Sequence, residues 1–153
     1  MIIIGEKING AIPSIKQAIA ERNEALIIER TLAQAAAGAN FLDCAPSTAT
    51  EIEYETMVWL IGLMQGATNV PLCIDSPNAK LLARVIEEGH LNKPGMVNSV
   101  NEEGDKCETI FPLIAGTPWE VVGLTCDQEG IPADPVKKVD IAKRIIDKAV
   151  KYG

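Results

Sequence analysis

Strand-like and helix-like runs alternate five times along this chain, and no strand-like run shows a clean polar alternation. Strands that are apolar on both faces need cover on both sides, which is the position of parallel strands in a layered α/β fold. The runs are Ile2–Ile4, Phe41–Asp43, Val70–Ile74, Met96–Val97 and Glu120–Leu124. Ser14 with Gln17, and Thr50 with Glu53, have the spacing of capping boxes. Ser76 followed by Pro77 reads as an N-cap with proline at the first helical position. Asn101 is a plausible cap for the helix holding Cys107, Ile110 and Phe111, and Asp134-Pro135 opens the final helix.

The helical runs carry apolar stripes. The stripe is Ile28, Leu32, Ala35 and Ala36 in a helix at about 24–37 stopped by Gly38, and Met57, Leu60, Ile61 and Met64 in the next. Leu81, Leu82, Val85 and Ile86 follow, then Val139, Ala142, Ile145, Ile146 and Ala149. Repeated β/α units make either a doubly wound sheet or a (β/α)8 barrel. The glycine fingerprint of a dinucleotide-binding crossover and the phosphate-cradling P-loop are both missing. A length of 153 residues suits one domain with one core.

The formal net charge of −7 excludes a nonspecific nucleic-acid binder, which needs a basic face to displace counterions. Lys137, Lys138, Lys143, Arg144, Lys148 and Lys151 cluster late in the chain, but acids interrupt them, as on a solvated helix face. Cys44, Cys73, Cys107 and Cys126 form no CxxC pair and His90 is the single histidine, which argues against a zinc or iron–sulfur site. The pattern suits a reduced, cytoplasmic chain. The first residues lack the basic and long apolar regions of a signal peptide, and the longest apolar run, Val58 to Met64, is too short to span a bilayer.

Polar residues recur where each strand ends. Glu6 and Asn9 follow the first, Asp43 the second, Asp75 the third, Asn98 the fourth, and Thr125 with Asp127 the fifth. In a β/α barrel those ends surround one mouth, where chemistry sits. Carboxylates accept hydrogen bonds, and Asn both donates and accepts. A rim of this kind suits a neutral ligand rich in N–H donors, such as a pterin ring. Asp and Asn after a strand also cap helices or shape turns. Ser76 and Asn101 are better placed as caps, which leaves Asp75 and Asn98 for a ligand.

Specific strings then point to a family. Gly5-Glu6-Lys7-Ile8-Asn9, Leu42-Asp43, Leu72-Cys73-Ile74-Asp75-Ser76-Pro77-Asn78, Asn98-Ser99-Val100-Asn101, Gly123-Leu124-Thr125 and Gly130-Ile131-Pro132 occur in order along the chain. In these the chain resembles the methyltetrahydrofolate:corrinoid/iron–sulfur protein methyltransferases, and more broadly the pterin-binding barrels that include dihydropteroate synthase. The resemblance implies that Asp75 and Asn98 pair with the amino and amide edge of the pterin. Asp43 and Asn9 would lie near the same ring, with Glu6 in support. It also implies methyltetrahydrofolate as substrate and a corrinoid (cobalamin-type) cofactor carried by a separate corrinoid iron–sulfur protein. Two positions depart from the pattern. Ala45 and Asp127 stand where asparagines are common.

The fold expected is α/β, of TIM-barrel type, with about five of eight β/α units and the 153 residues forming one pterin-binding domain, the N-terminal portion of a barrel. The resemblance places a further pterin-contacting Asp and the Asn that hydrogen-bonds folate N5 on strands six to eight, so no catalytic residue is assigned. The activity expected of the family is transfer of the N5 methyl group to cobalt, and the isolated 153 residues, without strands six to eight, are expected to be inactive or weakly active. Two alternatives stay open: a dihydropteroate synthase-like pterin enzyme, and a non-catalytic pterin-binding or assembly module. The first lacks its Asn-x-Thr-x-Asp-Ser-Phe-Ser stretch, since Asn9 is followed here by Gly10-Ala11-Ile12-Pro13. An open wall of five strands also predicts a homo-oligomer. Asn9, Asp43, Asp75, Asn98 and Asp127 are expected at one end of a sequentially ordered parallel sheet.

Overall fold

The computed structural model describes residues 1–153. Five strands, β1 (Ile4–Gly5), β2 (Phe41–Cys44), β3 (Leu72–Asp75), β4 (Met96–Glu102) and β5 (Glu120–Asp127), form one sheet in that order. All four neighbouring pairs are parallel. Helices α1 (Pro13–Ala20) and α2 (Glu24–Ala36) follow β1, and α3 (Thr50–Ala67), α4 (Ala79–Glu87), α5 (Lys106–Ile114) and α6 (Pro135–Tyr152) follow the other strands in turn. The result is a curled part-barrel of alternating β/α units, as the sequence predicts.

The two faces of the sheet carry different residues because successive side chains alternate. Leu42, Cys44, Leu72, Ile74, Val97 and Val100 pack with helix residues in the main core. Phe41, Cys73 and Met96 form a second, small cluster with Ile4 and Val122, and no helix residue joins it. The helices therefore cover the convex face alone, and the second cluster lines the concave one. Burying Met57, Leu60, Ile61 and Met64 completely on α3 removes their whole apolar surface from water, worth roughly 1.5–3 kcal/mol per side chain.

Several local expectations are corrected. Helix α1 starts at Pro13 after Ile12, with no side-chain cap, so Ser14 and Gln17 make no capping box. Thr50 is the first residue of α3 and its N-cap is Ala49, so Thr50 and Glu53 make none either. Asn78, not Ser76, caps α4. Asp105 precedes α5, and Asn101 lies within β4. The buried stripe of α2 is Ile27, Thr31 and Gln34, with Leu32 exposed. Gln34 is drawn inward because its Oε1 accepts the Lys7 backbone N–H at 2.7 Å, beneath Gly5. A Cβ at Gly5 would lie 2.7 Å from that oxygen, so a larger residue would push Gln34 off the Lys7 N–H. On α6, Ile141 and Ile145 are buried while Val139 and Ile146 are exposed. Strands β4 and β5 run further than the apolar pattern shows, to Glu102 and Asp127.

Candidate functional site

Register brings the rim residues together. Asp43 pairs with Cys73 and Asp75 pairs with Asn98. Cys73 and Asp75 are two residues apart on one strand, so Asp43, Asp75 and Asn98 all leave the concave face. Glu6 comes two residues after Ile4, which is in register with Phe41 of that face. Its charge acts on both Asp43 and Asp75. Below them Phe41, Cys73 and Met96 form an apolar floor.

Asp43 is the buried member, 1% exposed, and its Oδ1 has no hydrogen-bond partner. Burial, then the Asp75 and Glu6 carboxylates, push its pKa up to about 7, while the Cys73 thiol and Asn98 side chain pull the other way. Asp75 is held above the usual carboxylate range by its own burial, then by Glu6 and Glu53. The Cys73 thiol is pushed up by burial and by Asp43, which leaves it neutral. No three His, Cys, Asp or Glu side chains converge in a metal-holding arrangement.

Asn9 lies at the same rim, bridged to Ala45 just beyond β2. Its Oδ1 accepts from Ala11 N at 2.9 Å and Ser47 Oγ at 3.3 Å, so this oxygen ties two rim loops together. Gly10 N donates to Ala45 O at 2.9 Å. A Cβ at Gly10 would lie 2.0 Å from Pro46 O, so this crossing needs glycine. Asp127 is at the same end of the sheet but further out. Val122, not Asp127, is the neighbour of Asn98, which puts Asp127 roughly 15 Å further along β5. Its carboxylate meets Lys137 Nζ at 3.2 Å and the Glu129 backbone N–H at 3.0 Å.

Glu53 is a supporting residue that the capping-box reading misplaced. It is 6% exposed, and its Oε1 accepts the Ser76 hydroxyl at 2.6 Å. Ser76 Oγ in turn accepts the Asn78 N–H at 3.0 Å, and Ser76 N donates to Asn98 O at 3.3 Å. This chain of bonds fixes the turn that presents Asp75. A signal was present in the sequence, because Glu53 falls on the helical stripe of Met57, Leu60, Ile61 and Met64. His90 takes no part in these bonds: its Nε2 meets Tyr54 Oη at 2.8 Å and Glu88 Oε2 at 3.1 Å, between α3 and the end of α4.

No family model matches the chain. Over 155 aligned positions it is 47% identical to the methylcorrinoid:tetrahydrofolate methyltransferase of Eubacterium limosum, a match that takes in 100% of this chain and 56% of that protein. It is 29% identical to methionine synthase of Mycobacterium tuberculosis, over 96% of this chain and 13% of the synthase. The corresponding enzyme of Mycobacterium leprae is 28% identical, with 12% of its length matched. The chain thus spans little more than half the length of the first relative and a small part of the others. The resemblance to the methyltransferases that act between folate and corrinoid, first read from short strings, therefore holds along the entire chain.

Proposed function

We propose that this chain supplies the pterin-binding part of the site of a methyltransferase acting between N5 of a tetrahydrofolate and the cobalt of a corrinoid protein. The observation that carries the reading is the shared concave face of Asp43, Asp75 and Asn98, with Glu6 at its lip. Three acceptor-rich side chains and one amide, above an apolar floor, match a flat heterocycle with adjacent N–H donors on one edge. Asp75 and Asn98 take that edge; Asp43 lies one strand over, and Asn9 holds the loops around it.

The corrinoid supplies the cobalt that gives or takes the methyl group. The single histidine is engaged with Tyr54 and Glu88 on the helical side, so this chain offers no imidazole to that metal at the rim. The cofactor belongs to a partner protein in this reading. The name of the Eubacterium relative puts the methyl group on the corrinoid and leaves tetrahydrofolate to receive it. Transfer in the opposite sense passes through the same transition state, so the binding residues serve both. In that opposite sense, N5 leaves well only when protonated or hydrogen-bonded, assistance typically worth 10²–10⁴-fold.

The test is direct. The protein is mixed with tetrahydrofolate and a methylated corrinoid protein, and the cobalt spectrum is followed in the visible range. Loss of methylcobalt that depends on Asp75 supports the reading. Tetrahydrofolate binding without any methyl movement, in a protein carrying all the strands of the Eubacterium relative, favours a binding module instead.

A further inference from the structure

We propose that Asp43 and Asp75, beside the Glu6 carboxylate, together hold one proton in the free protein, and that a ligand bringing N–H donors to this face expels that proton to solvent as it binds. The inference rests on the reading of this face as a donor-binding site, and it adds how the buried carboxyl is kept uncharged and which hydrogen-bond polarity the face selects.

The argument begins with what surrounds Asp43. Its own strand adds Cys44 on the opposite face. Strand β3 adds Cys73 and Asp75, β4 adds the neutral amide of Asn98, and the β1 side adds Glu6. Behind Asp75, α3 adds Glu53. Strand β5 contributes Val122 at this level. Every titratable group facing the cluster is thus an acid or a thiol, and no Lys or Arg is bonded to Glu6, Asp43 or Asp75. A carboxylate that is 1% exposed with an unpartnered oxygen is costly to keep charged. A proton removes the charge and turns one oxygen into a donor. The upward push on Asp43, to about 7, agrees with this arrangement.

A ligand edge with two adjacent N–H groups does the same work differently. It needs paired anionic acceptors, as a guanidinium does with a carboxylate. Binding then stabilises the charged form and lowers the group's pKa, so the proton leaves for the buffer. No covalent bond to carbon changes. A ligand presenting acceptors would retain the proton instead, so the direction of proton movement reports which kind of edge this face takes.

Two measurements test this on the intact chain. Carboxyl ¹³C NMR of the free protein is expected to show one acid titrating close to neutrality. That signal disappears in Asp43→Asn and moves downward in Asp75→Asn, the second variant serving if the first fails to fold. Asp43 and Asp75 both titrating in the ordinary acid range overturn the proposal. Calorimetric titration with tetrahydrofolate, in buffers of different ionisation enthalpy, is expected to show proton release near pH 6 that fades near pH 8, with affinity rising up to about tenfold per pH unit below the transition. Binding with no proton release, or with uptake, also overturns it. A near-neutral carboxyl in a protein that ignores tetrahydrofolate supports the shared proton and removes folate as the ligand, so the two readings fail separately.

Discussion

Asp75 of β3 and Asn98 of β4 are register partners at the point where β3 ends, so an acceptor-only and a donor–acceptor side chain stand side by side. Neighbouring strands are about 4.8 Å apart, close to the spacing of polar atoms along the edge of a fused heterocycle. Asp75→Ala is expected to weaken tetrahydrofolate binding by roughly 1–3 kcal/mol, the range for losing a charged acceptor. Asn98→Ala is expected to cost less, about 0.5–1.5 kcal/mol. Isothermal titration of both variants checks the order, and equal affinities in all three proteins contradict it.

The pH dependence of stability carries a sign set by Asp43. Its folded pKa is raised to about 7 from an ordinary value of 3.8, so its favourable contribution is full below that ordinary value and is lost as pH rises through 7. Glu88 has the opposite sign. Hydrogen bonds from Tyr54, Arg84 and His90 hold it down at about 2 against an ordinary 4.5, so its contribution is lost only as pH falls below that ordinary value. The window between about pH 5 and pH 8 therefore reads Asp43 and its raised neighbour Asp75 free of Glu88, and Asp43→Asn separates the Asp43 part. Urea denaturation is expected to show Asp43→Asn gaining on the parent by about 1–3 kcal/mol across that window. Parallel curves for the two proteins contradict the assignment.

Glu53→Ala leaves the Ser76 hydroxyl without its buried acceptor and frees the turn that carries Asp75. The expected loss is about 1–3 kcal/mol in denaturant unfolding, together with weaker ligand binding. Glu53→Gln keeps an acceptor oxygen and is expected to restore most of both. A Gln variant as damaged as the Ala variant contradicts the positioning role.

The architecture was legible because strands apolar on both faces leave few folds open, and β2 and β3 are buried on both faces, while the edge strands β1 and β5 are only partly covered. Where the reading failed, a local rule lost to a tertiary contact. The Ser14 and Thr50 boxes fit a pattern of two residues, yet Pro13 and Ala49 set where the backbone turns helical. Leu32 looked like core by spacing, but Gln34 occupies the inner position because the Lys7 N–H needs an acceptor there. Asp43, Asp75, Asn98 and Glu6 were legible as a rim because strand ends align in a parallel sheet. The placement of Asp127 was not, since the bulge between Asn98 and Val100 and the length of β5 show in no residue pattern.

Association is the expected fate of the open side. Strand β5 is an edge, and Val136, Val139, Ile146 and Val150 of α6 are exposed, all at helical spacing along one stripe. Light scattering at micromolar concentration is expected to show a homo-oligomer that Ile146→Lys and Val150→Lys dissociate. A monodisperse monomer with cooperative thermal unfolding contradicts this.

The most direct test of the site is an amide ¹H–¹⁵N NMR titration of the protein with tetrahydrofolate, which registers weak binding and locates it. Saturable shifts are expected at Glu6, Asp43, Asp75, Ser76 and Asn98, and they should vanish in Asp75→Ala while the rest of the spectrum is unchanged. Shifts confined to other parts of the surface, or a spectrum indifferent to tetrahydrofolate, would contradict a pterin site on the concave face.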